Sequence, residues 1–224
     1  MTKLLEVIVT SAAEAREAEA GGADRLELVR DLECGGLTPR METVREVVEA
    51  VSIPVRVMLR ENAGMSAGTR EDRARLGLLA GKLAECKVNG LVAGFVQGNT
   101  IDTDAMSALA AAAPSMSITF HRAFESVADP PAALQMLRSY PQVDRILIRA
   151  TAQTPLSRLR EWQAMTAPAI RIITGIGLAS ELLGEIAHDP VLSEVHVGRW
   201  VREPQISSGR LDRSRVARLK SVLS

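Results

Sequence analysis

Eight short runs rich in Val, Ile and Leu, beginning about 20 to 35 residues apart, constrain this chain more than any other feature. The runs are Leu4–Val9, Arg25–Arg30, Pro54–Arg60, Gly90–Gln97, Met116–Arg122, Arg145–Ala150, Ala169–Thr174 and Glu194–Arg199. Amphipathic stretches of helical spacing lie between them, and most runs are bounded by Gly, Pro, Asn, Asp or Ser. Eight strand–helix units with no long linker predict an α/β fold, a single-domain (β/α)8 or TIM barrel spanning residues 1–224. An open doubly wound sheet is the alternative, because closure leaves no direct trace in a sequence. The 224 residues are 46% hydrophobic, enough to bury a core without disulfides or a structural metal, and only 3% aromatic. The core must therefore rest on aliphatic side chains.

Helix signals fall where this alternation needs them. Helices are expected at Ala12–Ala20, Met41–Val51, Arg70–Lys87, Pro131–Ser139, Leu178–Ala187 and near Asp212–Val222. Ser11-Ala12-Ala13-Glu14 reads as a capping box, with Gly21-Gly22 as the stop. Thr38-Pro39 places proline at a helix start, and Asp102 and Asp129 read as N-caps. Asn62–Thr69 and Arg202–Arg210 are the stretches expected to form loops of their own.

Charges inside such strands are informative, because both faces of a barrel strand are largely buried and a buried charge needs a partner. Period-two phasing puts Arg56, Met58 and Arg60 on one side, as it does Ser117, Thr119 and His121. Arg145, Leu147 and Arg149 share a side, and so do Glu194, His196 and Gly198. With those phases turned inward, Glu6, Glu27, Arg60 and His196 line one arc and His121 lies opposite. Glu6, Glu27 and His121 are the candidate catalytic residues, the carboxylates as general acid and base. Arg60, Arg122, Arg149, His196 and Arg199 are the candidate ligand-binding side chains; the excess of arginine predicts a small anionic ligand. Gly175, Gly177 and Gly198, at the ends of the last two strands, could bring backbone amides close to a phosphate. Structural ion networks leave the same trace, so the two carboxylates could instead simply neutralise interior arginines. Arg25, Arg56, Arg145 and Arg171, at strand entries, are read as structural.

Other classes are disfavoured. Lys plus Arg and Asp plus Glu each total 27, with no polybasic run and few aromatic rings for stacking, so no nucleic acid is expected. No apolar run approaches the roughly 18 residues of a membrane span, and Glu6 interrupts the first one, so neither a membrane span nor a leader is expected. Cys34 and Cys86 form no Cys-x-x-Cys pair, which fits a reducing, cytoplasmic setting. The histidines and carboxylates could together offer ligands to Zn²⁺ or Mn²⁺, although no His-x-x-x-His spacing occurs. Cys34, beside Glu33 in a loop, is the candidate soft ligand for a metal such as Cu(I).

Several segments resemble the CutC copper-homeostasis family. They include Leu4-Leu5-Glu6-Val7, Ala23-Asp24-Arg25-Leu26-Glu27-Leu28, Gly35-Gly36-Leu37-Thr38-Pro39, Pro54-Val55-Arg56-Val57-Met58-Leu59-Arg60 and Thr119-Phe120-His121-Arg122-Ala123-Phe124. The resemblance runs in order through the first five strands. It implies a cytoplasmic TIM barrel linked to copper handling, often a homo-oligomer, with copper as the possible metal and Glu6, Glu27, Arg60, His121 and Arg122 at motif positions. The resemblance also has gaps: where members often carry cysteine after Glu-Leu in the second strand, this chain has Val29. Ile148-Arg149-Ala150 stands where Thr-Ser-Gly is expected after the sixth. A small-molecule enzyme acting on a phosphorylated or carboxylated, sugar-like compound is the alternative function.

Overall fold

The β-rich runs become eight parallel strands: β1 (Leu4–Val9), β2 (Arg25–Leu28), β3 (Val55–Met58), β4 (Gly90–Ala93), β5 (Ser117–Phe120), β6 (Val143–Arg149), β7 (Arg171–Gly175) and β8 (Glu194–Val197). In the computed structural model, which describes residues 2–177 and 181–224, they close into one barrel because β1 pairs with both β2 and β8. The open-sheet alternative is thereby excluded. The helices that follow are α1 (Ala12–Ala20), α2 (Met41–Ala50), α3 (Arg70–Glu85), α4 (Thr103–Ala112), α5 (Pro130–Leu137), α6 (Leu156–Thr166), α7 (Glu181–Ala187) and α8 (Arg213–Leu223). The predicted start of the seventh helix at Leu178 lies outside the described residues.

Strand side chains alternate between the apolar layer shared with the helices and the barrel lumen, as a pleated strand in a barrel requires. Leu5, Val7, Val9, Leu26, Leu28, Val57, Leu91, Ile118, Phe120, Ile146, Val195 and Val197 belong to the large cluster shared with the helices, where α2 contributes Val44 and Val47. Val29, Met58 and Val92, with Ile8 and Leu32 against them, make a separate small cluster on the opposite phase. That second cluster is the inner plug on which a mouth can be built.

The caps follow the sequence in part. Asp102 and Asp129 accept amides of Ala105 and Ala132 at the starts of α4 and α5. Ser11 caps α1, but the Glu14 carboxylate reaches past the cap to the Thr10 amide (2.8 Å) and also binds Arg202, so the box is only half made. Thr38-Pro39 does not open a helix, since α2 begins at Met41. The Thr38 hydroxyl instead accepts from the Arg60 amide (2.8 Å) and donates to the Arg60 carbonyl (3.0 Å), tying two strand exits together. The full capping box is Thr69 with Asp72 on α3. The predicted run to Gln97 ends at Ala93, and Val96–Gln97 turns back on Thr100–Ile101 as a short hairpin. Arg202–Glu203 pairs likewise with Arg210–Leu211.

Candidate functional site

The amino-terminal half of the lumen is filled by charge. Arg25 Nε meets Glu6 Oε2 (2.5 Å) and its Nη2 meets Glu194 (2.7 Å). Arg145 holds Glu194 from the other side (2.8 and 3.0 Å), and Arg56 forms a fork on Asp144 (2.7 and 2.6 Å) while binding the Thr119 hydroxyl (2.6 Å). Asp144 comes within reach because the β5–β6 register jumps from Ile118↔Val143 to Thr119↔Arg145, a bulge that leaves Asp144 unpaired in the ladder. The strand-entry arginines are thus ion-paired, consistent with the structural reading.

Above this layer sits a triad that neighbouring strands bring together. His196 Nδ1 lies 2.9 Å from Glu6 Oε1 and 3.6 Å from Glu27 Oε2, and the three groups offer ligand atoms within 4.8 Å of one another. Burial alone would raise both carboxyls, but they end on opposite sides of the ordinary carboxyl value. The Arg25 guanidinium and His196 hold Glu6 far below its ordinary range. Glu27 is pushed up to about 7 by burial, with the Glu6 charge adding to the effect against His196, Arg25 and Arg122. Burial disfavours charge on His196 too, yet Glu27 and Glu6 raise its pKa. Glu27 Oε2 is buried without a hydrogen-bond partner.

A cavity of about 440 Å³ opens at the carboxyl ends of the strands, the end where barrel sites are built. Glu27, Arg60, His121, Arg122, Arg149, Gly175, Gly177, His196, Gly198, Arg199 and Cys34 all line it, so the structure brings together every candidate except Glu6. Glu6 is wholly buried, with both oxygens engaged by Arg25 and His196. That position corrects the expectation of Glu6 as an acid or base in contact with a ligand.

His121 follows β5 and is buried, its Nδ1 accepting the Ala123 amide (3.1 Å). The proton therefore resides on Nε2, which is buried and has no partner. Burial, reinforced by Arg60 and Arg122, pushes its pKa down to about 3. A Cβ on Gly94 would lie 2.9 Å from His121 Nδ1, so glycine is what lets the ring pack there.

Arg60 lines the cavity, but its guanidinium binds the carbonyls of Cys34, Gly35, Gly36, Ala63 and, through Nε, Asn62 and Gly64. Its donors are spent on two loops, which corrects its assignment as an anion ligand. Arg149 and Arg122 stand half-exposed and share Glu125, at 2.9 and 3.3 Å. Arg199 is exposed and has no carboxylate partner among the described residues. Glu125 was missed by sequence reasoning; its signal was the three-residue spacing from Arg122. Gly198 admits Ile8, whose Cδ1 would lie 2.9 Å from an added Cβ, so it serves packing. Gly177 faces open space.

The donor chemistry bears on copper. Cys34 is exposed in a 3₁₀ turn at the rim and joins no group of three metal-competent side chains among the described residues. The group that exists has two carboxylates and one imidazole, with an arginine already on one carboxylate. Cu(I) prefers thiolate and thioether, so the triad does not fit it. Val29, at the position where the resemblance anticipates cysteine, is buried in the inner apolar plug.

A closed parallel barrel with a buried acid–imidazole group beneath an arginine-lined cavity at its carboxyl-terminal face defines a TIM-barrel protein. The chain belongs to the CutC family, whose model matches residues 3–200. The family protein CutC of Klebsiella pneumoniae (strain 342) is 34% identical over 204 residues, covering 88% of this chain and 81% of the relative. The human copper homeostasis protein cutC homolog is 33% identical over 199 residues, covering 86% of this chain and 72% of the relative. The crystal structure of CutC from Streptococcus agalactiae superposes with a TM-score of 0.79 at 21% identity, covering 88% of this chain and 98% of that one, and agrees in fold.

Proposed function

We propose that this chain shares the copper-homeostasis association for which its human relative is named, and that it acts through a proton-transfer site for a small anionic ligand. Direct Cu(I) ligation is not part of this reading. The carrying observation is Glu27: a buried carboxyl raised to about 7, with one oxygen unpartnered, opening on a cavity rimmed by Arg122, Arg149 and Arg199. A carboxyl near neutrality can both take and return a proton. Glu6 acts as a positioning residue, fixing the His196 ring so that its charge faces Glu27. The rim arginines attract and orient the anion. Within the same reading, membership of the CutC family supports a cytoplasmic protein that works as a homo-oligomer; among the described residues no helix is long and apolar enough to cross a membrane.

Two measurements test the proposal. Inorganic phosphate should raise Tm in a saturable way, and Arg149→Gln with Arg199→Gln should remove most of that rise. A phosphate-independent Tm would overturn the anion site. In a Cu(I) titration against a competing chelator, wild type and Cys34→Ser should behave alike. One tightly held equivalent, lost in Cys34→Ser, would replace this reading with a thiol-based copper site.

A further inference from the structure

Two residues that line the cavity, Glu27 on β2 and His121 just after β5, each carry a buried polar atom without a hydrogen-bond partner, and the two atoms are complementary in kind. In its ionised form Glu27 Oε2 can only accept, whereas His121 Nε2 carries a proton and can only donate, because Nδ1 is held by the Ala123 amide. Buried polar atoms without a hydrogen-bond partner are uncommon in folded proteins. A ligand filling the cavity must therefore present a hydrogen to Glu27 and a lone pair to His121 while its charge meets the rim arginines.

Resting on the anion-site reading above, we infer that the cavity takes a small carbonyl compound bearing a phosphate or carboxylate, with its carbonyl oxygen on His121 Nε2–H and the adjacent C–H against Glu27 Oε2. The two groups have the properties this chemistry asks for. His121, kept uncharged by burial and by Arg60 and Arg122, can polarise an oxygen without taking a proton itself. A carboxylate base facing a neutral imidazole donor is a recurrent arrangement for removing a proton next to a carbonyl. In the step, the C–H bond breaks and its proton passes to Glu27 Oε2. The bonding pair becomes the new C=C as the carbonyl π pair moves onto oxygen, where His121 Nε2–H stabilises it. Return of the proton to carbon restores the Glu27 carboxylate, so no oxidant or reductant is consumed.

The test is hydrogen exchange at carbon. The full chain is incubated in D2O with dihydroxyacetone phosphate, with 2-oxobutanoate and with uncharged dihydroxyacetone, and loss of the C–H signal is followed by proton NMR. One anionic probe should exchange at least about a hundredfold faster than in buffer, the scale of general-base assistance, and the uncharged ketone much more slowly. Which probe exchanges distinguishes a phosphate from a carboxylate tail. Glu27→Gln should abolish the exchange while keeping the Tm rise with inorganic phosphate. His121→Gln should slow it about tenfold or more with that rise intact. No exchange with either anionic probe, in protein whose Tm still responds to phosphate, overturns the carbonyl assignment and leaves the anion site standing. Loss of the phosphate response in wild type overturns both, and exchange that survives Glu27→Gln overturns the role given to Glu27.

Discussion

Glu27 shows how much one residue's surroundings decide. Its carboxyl has an ordinary pKa of 4.5 and is raised to about 7 by burial, so between those values the folded chain holds a proton that the unfolded chain has released. Stability must then fall as pH climbs through that window and level off above it. His196 contributes in the same sense: its pKa is raised, so the stabilisation from its proton is lost as pH passes that value. Glu27→Gln should consequently have a shallower decline than wild type, gaining about 1–3 kcal/mol relative to it between about pH 5 and about pH 8. Urea midpoints at the two pH values check this, and parallel curves would show that Glu27 titrates normally. The presence of Glu27, His121 and His196 at the mouth was legible from strand phase alone. Their protonation was not, because it depends on which charges the barrel sets around each group. The sequence offers no sign that Glu6 would be consumed by Arg25 and His196 while Glu27 keeps an oxygen free.

At the scale of elements, the mouth is held by side chains that bind backbone rather than ligand. Arg60, at the exit of β3, gathers carbonyls from the turn around Cys34–Gly36 and from 62–64. Arg202, just beyond β8, grips Glu14 of α1 with a two-pronged contact (2.6 and 2.8 Å) and takes the Gly209 carbonyl as well (2.8 Å). Hydrogen bonds to a charged donor contribute about 1.5–3 kcal/mol where neither side is well solvated. Arg60→Met should therefore lower global stability by about 1–3 kcal/mol, and amide exchange should rise in 33–37 and 61–66 before it rises in the strands. Unchanged protection in both loops would mean that packing, not Arg60, orders them. Conversely, Arg202→Met should loosen 202–211 and the start of α1 while leaving the 33–37 turn protected. A sequence reader sees Arg60 as an inward charge at a strand exit and naturally assigns it a ligand. Backbone carbonyls are invisible in a sequence, so their claim on a guanidinium emerges only once the loops are folded around it.

Over the whole molecule, closure and charge depend on each other. β1 meets β8 through Glu6↔His196 and meets β2 through Glu6↔Arg25, so the residues that complete the ring also complete the lower ion network. The alternating runs revealed the eight strands and the inward polar phase. What they left open was which charges would meet, since pairing across a lumen depends on shear, side-chain reach and the bulge that turns Asp144 toward Arg56. Arg25 is the keystone of that network, lying 2.5 Å from Glu6 and 2.7 Å from Glu194 and almost fully buried. Arg25→Met keeps most of the stem volume yet strands two buried carboxylates, of which Arg145 can still serve Glu194 but only His196 can serve Glu6. Breaking a buried pair from one side costs about 3–5 kcal/mol, so the single variant should be severely destabilised. Adding Glu6→Gln removes the stranded charge, and the double variant should recover at least about 1 kcal/mol over Arg25→Met in equilibrium unfolding, despite the loss of the His196 contact. Strictly additive losses would mean that the charges are independent tenants of the lumen. Recovery would mean that barrel closure and the protonation of the mouth are set by one connected set of side chains, so that Arg25→Met alone should also raise the pKa of His196, measurable by NMR titration, as the opposing Arg25 charge is removed and Glu6 is left to His196 alone.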